Sequence, residues 1–245
     1  MCTVTYLPQP DGSYVLSHNR DEAPERGARQ ILRQERQQEQ IVFPQDAGAG
    51  GTWITLGALD RVACLLNGAY TNHERKPPYR MSRGIMVLEY HDYPDVHAFR
   101  QNFNFSGMEP FTMLVVEGGQ PYQMVWDAQS LAFEELQAKK SYIWSSATLY
   151  DQEMRAERVR WFREWLDRET NPGLSAARFF HRYAGNGDPR TDVVMNRDNI
   201  VRTVSITHIV RDSTQIELQY EDLIHGSQSK AKVDLQRGPL ESGEA

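Results

Sequence analysis

The first twenty-two residues constrain this chain more tightly than any other stretch. Thr3-Val4-Thr5-Tyr6-Leu7 is rich in β-branched and aromatic side chains and reads as a strand. Pro8-Gln9-Pro10-Asp11-Gly12 is turn chemistry, with Asp11-Gly12 supplying a residue that tolerates positive φ. Ser13-Tyr14-Val15-Leu16-Ser17 then returns antiparallel. A hairpin of that length brings His18-Asn19-Arg20-Asp21-Glu22 back beside Cys2.

The position of Cys2 gives that juxtaposition chemical meaning. Initiator methionine is removed when the next side chain is small, and removal here would leave a thiol and a free α-amine on one residue. An unperturbed α-amine titrates at about 7.7–8.0 and a thiol at about 8.5, so near neutrality the amine can take the thiol's proton. Nucleophile and base then reside in a single residue, as in a threonine paired with its own N-terminal amine. Asp21 would orient the ammonium, and Arg20 would favour an exposed thiolate of depressed pKa. The plainer alternatives are a buried, inert Cys2, a turn carboxylate at Asp21 and a surface ion pair at Arg20.

Cys2, Asn19-Arg20-Asp21-Glu22, Gly50-Gly51-Thr52-Trp53, Leu66-Asn67, Ser82-Arg83-Gly84 and Arg202-Thr203 together resemble the NRDE family, the group that includes transport and Golgi organisation protein 2. The resemblance covers roughly residues 1 to 220. More distantly, Cys2, Asn19, Asp21 and Asn67 resemble the cysteine branch of the N-terminal-nucleophile hydrolases, such as bile salt hydrolase and penicillin V acylase. That resemblance implies an α+β fold, a four-layer αββα sandwich of two antiparallel sheets with Cys2 opening a central strand. It also implies an amidohydrolase acting through a thioester, with Cys2, Asp21, Asn67, Arg20 and Arg202 catalytic and His18, Asn19, Trp53 and Ser146 contacting substrate. Asn67 would help to hold the oxyanion; its plain reading is a strand-end turn residue before Gly68. The hydrolases carry an arginine where this chain has His18, so Arg20, Arg202 or His18 would supply the positive charge. They also carry an asparagine where this chain has Ser146, which would make a weaker oxyanion donor. The NRDE resemblance implies a non-enzymatic alternative as well, a carrier of haem or of an acyl-lipid, since a cysteine thiolate can ligate haem iron.

A chain of 245 residues can bury a substantial core. A net charge of −6 leaves no electrostatic footprint for nucleic acid. No apolar run approaches the roughly 20 residues of a membrane-spanning helix. The N-terminus lacks the basic region and long apolar run of a signal peptide, so a cytoplasmic protein with a small-molecule substrate or ligand is expected. Two cysteines, Cys2 and Cys64, cannot make a zinc site or a disulfide framework, and no metal or resident cofactor is expected. The composition leaves the oligomeric state open.

Along the chain, Ala23 to Gln40 is polar and reads as a solvated loop or short exposed helix, and Gly48-Ala49-Gly50-Gly51 as a loop letting the backbone pass close to another element. Arg61 to Asn67 reads as a strand buried on both faces, with Cys64 in the core, and Tyr70 to Arg80 as a lid or mouth. Ser82 caps a helix through Tyr90, and a second runs from Pro94 to Phe103. Strands follow at Phe111–Glu117, Tyr122–Asp127, Leu131–Leu136 and Ser141–Ser145. Helices are expected at Asp151–Arg168, with Met154, Val159, Phe162 and Leu166 as its apolar stripe, and at Leu174–Tyr183. A strand pair closes the fold at Ile200–Val210 and Ile216–Tyr220. His73, His91 and His97 read as surface or structural residues. Residues 1–225 form one domain, and 226–245 is expected to be a polar, disordered tail.

The base proposed for Cys2 exists only after Met1 is lost. Intact-mass measurement of protein from its native host is expected to show a chain beginning at Cys2; quantitative retention of Met1 rules out this catalytic arrangement.

Overall fold

The computed structural model describes residues 2–170 and 172–235. Two antiparallel sheets face one another. The first has the order β10 (Tyr142–Ser145), β1 (Cys2–Pro8), β2 (Tyr14–Glu22), β12 (Val201–Arg211), β13 (Gln215–Asp222), β14 (Gln228–Asp234), with the short β11 (Asn196–Arg197) beside the start of β12. The second runs β3 (Ala28–Glu35), β4 (Gln40–Asp46), β5 (Ile54–Gly57), β6 (Arg61–Asn67), β7 (Phe111–Glu117), β8 (Gln120–Trp126), β9 (Leu131–Glu135). Helices α3 (Gln152–Leu166) and α4 (Leu174–Tyr183) cover the outer face of the first sheet. Helices α1 (Arg83–Glu89) and α2 (Val96–Asn102) cover that of the second. The αββα sandwich follows from this stacking.

Side-chain alternation along β1 explains the layering. Cys2, Val4 and Tyr6 point between the sheets into a core that includes Cys64, Leu66, Leu114, Ile209 and Leu218. Leu7 on the same strand faces the helices, joining Val15, Trp161, Phe162 and Phe180. Strand β6 is buried on both faces, as its continuous apolar run requires: Cys64 and Leu66 go inward while Ala63 and Leu65 meet the aromatic cluster under α1 and α2. The helix starts are set by local chemistry, since the side chains of Ser82, Asp95 and Asp151 each accept a backbone N–H of the following turn.

Three expectations need correction. Ala23 to Gln40 is neither loop nor exposed helix; after a single 3-10 turn at Pro24–Arg26 it forms β3. Residues 228–234 of the expected tail form β14, whose Lys232 pairs with Glu217 of β13 at 3.2 Å, while 236–245 lie outside the described residues. The buried face of α3 centres on Arg158, Trp161 and Phe162, with Met154, Val159 and Leu166 only half-buried. His91, in contrast, is structural: its Nδ1 meets Glu39 at 2.6 Å and its Nε2 meets Thr55 at 2.7 Å, in a fully buried cluster with Arg61.

The glycine motif has a packing reason. The Thr52 N–H donates to the Gly84 carbonyl at 3.2 Å, and the two backbones lie so close that a Cβ on Gly51 would sit 2.6 Å from the Gly84 carbonyl carbon. A Cβ on Gly84 would sit 2.9 Å from the Thr52 backbone. This contact docks the start of α1 onto the strand-entry loop. Gly51→Ala and Gly84→Ala are therefore expected to cost about 1–3 kcal/mol each in denaturant unfolding. Gly48→Ala, where the nearest neighbour is Asp46 Oδ1 at 3.5 Å, should stay within about 0.5 kcal/mol of the parent.

Candidate active site

The hairpin register sets Cys2 opposite Arg20 and Thr3 opposite Asn19. Alternation then divides the motif between the two faces. Arg20 lies on the Cys2 side, between the sheets, and its guanidinium ion-pairs with Asp46 and stacks over the Trp53 ring at 4.1 Å. Asp46 is itself held by the N–H groups of Gly48 and Ala49, both at 2.9 Å, and by Arg26 at 2.8 Å. Burial alone would raise the Asp46 carboxyl, but Arg20, these amides and Arg26 outweigh it and keep it below the usual carboxylate range.

Asp21 turns the other way, toward the helical layer. Its carboxylate accepts from Tyr150 Oη at 2.5 Å and from Thr203 Oγ1 at 2.6 Å. Behind Tyr150 lies the fully buried Arg158, its guanidinium 3.7 Å from the ring centroid and donating to the Asp192 carbonyl at 2.9 Å. Burial pushes the Asp21 carboxyl up, and the two hydroxyls and Arg158 work against it. Sequence reasoning missed Tyr150 and Arg158; the only signal toward this group was the Arg202-Thr203 pair.

Cys2 is 2% exposed, so the expectation of an exposed thiol with a depressed pKa is corrected. Burial pushes its thiol up, Asp21 adds to that and Arg20 opposes it. Cys64 is fully buried and its thiol is pushed up further, again by burial. Cys2 opens on a cavity of about 750 Å³ whose lining also includes Arg20, Trp53, Asn67, Thr148 and the 72–84 segment. The lining role of Asn72, His73, Arg75, Pro77 and Tyr79 gives the Tyr70–Arg80 loop the place of a mouth.

The remaining site candidates divide clearly. Asn67 lines the cavity at the end of β6. Ser146 is buried; its N–H donates to the Cys2 carbonyl at 2.9 Å and its hydroxyl to the Asn67 carbonyl at 2.8 Å, so it ties the two strand ends together and is not turned to the cavity. Asn19 faces α4, spending its amide on the His181 and Val193 carbonyls, both at 2.9 Å, and its oxygen on His181 Nδ1 at 2.6 Å. His18 is fully buried beside Val4, and burial drives its pKa far down, so it supplies no positive charge. Arg202 lies opposite Glu22 on β12 and is not part of the cavity lining. Of the three candidate cations, Arg20 alone lines the cavity with Cys2.

Among the described residues, no cluster of three His, Cys, Asp or Glu side chains could hold a metal ion, and no helix is long and apolar enough to cross a membrane. A haem on Cys2 would need apolar walls and an accessible thiolate. The walls here carry Arg20, Arg26, Arg75, Arg83, Glu22, Asp46 and Glu109, and a lining so charged does not suit a haem.

Residues 1–219 match the family model described as Transport and Golgi organisation 2. The chain belongs to that family. No curated protein sequence matches it. Among solved structures, this family member is similar to a cysteine-to-alanine mutant of the conjugated bile acid hydrolase of Clostridium perfringens, with a TM-score of 0.60 and 9% identity over 97% of each chain. An arginine-to-leucine variant of that enzyme gives a TM-score of 0.57 and 9% identity over 98% of this chain and 100% of that one. The Caenorhabditis elegans ortholog of N-acylethanolamine-hydrolyzing acid amidase gives 0.54 and 12%, over 85% of this chain and 92% of that one. At these identities the likeness is one of fold, and the fold is that of the N-terminal-nucleophile hydrolases.

The Tyr150 hydroxyl donates to the ionised form of Asp21, so its value depends on pH. Burial raises the Asp21 pKa, so Asp21's contribution to stability is greatest below its unfolded pKa and declines as pH rises through the folded one. Without Tyr150 that decline should steepen. Tyr150→Phe is expected to destabilise by about 1.5–3 kcal/mol where Asp21 is ionised and by less in acid. Urea unfolding of parent and variant across pH 4–8 checks this; a gap independent of pH overturns it.

Proposed function

We propose that this family member is an N-terminal-cysteine amidohydrolase that cleaves a non-peptide carbon–nitrogen bond through a thioester. The observation that carries the reading is the strand end shared by Cys2 and Asp21. Cys2 starts β1 and opens on the cavity, while Asp21, one residue beyond its partner Arg20, is clamped by two hydroxyl donors. With Met1 removed, the new α-amine emerges at that strand end, where Asp21 can hold it in place.

In this reading the α-amine takes the thiol proton and Cys2 Sγ adds to the substrate carbonyl carbon. The carbon–nitrogen bond breaks as the α-ammonium returns its proton to the departing amine, leaving the acyl group on sulfur. Water then attacks the thioester, giving its proton to the α-amine; the carbon–sulfur bond breaks and the carboxylic acid leaves. Burial disfavours the thiolate, so the nearby Arg20 charge, fixed by Asp46 and Trp53, supports it. Asn67 and a backbone N–H are the donors available to the oxyanion, and one such donor is typically worth about 2.7–4 kcal/mol in the transition state.

Cys2→Ala removes one small side chain and should fold like the parent while losing all turnover across a panel of N-acyl amino acids, lactams and acyl conjugates. Asn67→Ala should lower kcat by about a hundredfold or more with KM near the parental value, since the donor acts in the transition state. A mass-verified mature parent that turns over no member of the panel, or a Cys2→Ala chain that retains turnover, overturns the reading.

A further inference from the structure

The Ser82-Arg83-Gly84 motif is only partly explained by the packing of Gly84. Arg83 reaches into the Cys2 cavity with its side chain 13% exposed, donates to the Pro110 carbonyl at 2.8 Å, and lies 3.2 Å from Glu109 Oε2. The other Glu109 oxygen faces His73 Nε2 at 3.3 Å and Arg75 Nε at 3.4 Å. One carboxylate therefore serves two guanidiniums and an imidazole. The opposite wall is balanced, with Arg20 and Arg26 facing Asp46 and Glu22. The cavity thus carries one positive charge in excess, located at the Arg75–Arg83 wall, in a chain whose net charge is −6. Arg75, 74% exposed, engages Glu109 through Nε and leaves its terminal nitrogens available. Unpaired donors and a surplus charge in a recess are what an anion binds to.

We infer that Arg75 and Arg83 form a subsite for a single carboxylate, so that the amide cleaved at Cys2 carries a free carboxylate at one end. This rests on the hydrolase reading for its cleavage step, but not for its binding step. One surplus charge matches a monoanion better than a phosphate dianion. A cavity of about 750 Å³ also lies in the range of small-molecule sites, with room for a carboxylate at one wall and a scissile carbonyl at another.

The test is calorimetric binding to the Cys2→Ala chain, which cannot turn over, with N-hexanoylglycine and its uncharged twin N-hexanoylglycinamide. The acid is expected to bind about tenfold tighter or more, the scale of one charge-assisted hydrogen bond. The preference should weaken as salt rises. Arg75→Gln, at an exposed position where folding is safe, should cut the preference severalfold, and Arg83→Gln should abolish it. Equal binding of the two ligands, no binding of either, or a preference that survives both substitutions overturns the subsite. Turnover separates the two readings: a parent that hydrolyses acid and amide with equal kcat/KM keeps the hydrolase and removes the carboxylate subsite. Preferential binding of the acid without any hydrolysis does the reverse.

Discussion

The register of β1 against β2, with Cys2 opposite Arg20, is the constraint on which the rest of the site depends. Because side chains alternate along a strand, a slip by one residue would exchange the two faces. Arg20 would then face the helices and Asp21 the core between the sheets. The observed register gives each charge the surroundings that tolerate it: Asp46 and Trp53 for Arg20, Tyr150 and Thr203 for Asp21. The turn closed by Gly12, at φ +83°, and the inward-facing Val4, Tyr6, Tyr14 and Leu16 hold that register in place.

Buried charge is the second organising feature. Arg20 with Asp46, Arg61 with Glu39 and His91, and Arg158 over Tyr150 all lie away from solvent. Removing one partner from such a pair typically costs about 3–5 kcal/mol, because the survivor is left uncompensated. Their value here is positional. The Arg20 pair fixes the Gly48-Ala49 turn beside the cavity through the two amides that Asp46 accepts. Arg158 backs the ring whose hydroxyl holds Asp21, so α3 contributes to the Cys2 strand end although none of its residues lines that cavity.

The likeness to bile acid hydrolase and to the acid amidase ortholog concerns the fold, and folds host many chemistries. The surroundings of the cavity belong to this chain: a neutral His18 in the core, Ser146 joining two strand ends behind it, and a charged wall at Arg75, Arg83 and Glu109. The charged wall, more than the shared sandwich, bears on which molecule enters.

The sequence by itself determined the elements whose surroundings are simple. Strand β6 was legible because burial on both faces demands an uninterrupted apolar run, and α1 and α3 because Ser82 and Asp151 announce their first turns. The N-terminal hairpin, and with it the meeting of Cys2, Arg20 and Asp21, followed from turn chemistry and strand length. The two strands misread, β3 and β14, are both sheet edges. An edge strand half-exposed to water carries the polar composition of a loop, and pairing with its hairpin neighbour, β4 for β3 and β13 for β14, makes it a strand. Only the tertiary structure could decide which face each motif residue takes and what it meets there. Asn19 ties α4 rather than lining the cavity, and Arg158 sits in the middle of a buried helix face where periodicity calls for an apolar residue. Such roles depend on partners outside the strand or helix that carries the residue, His181 and Val193 for Asn19 and Tyr150 and Asp192 for Arg158, and local pattern carries no record of them.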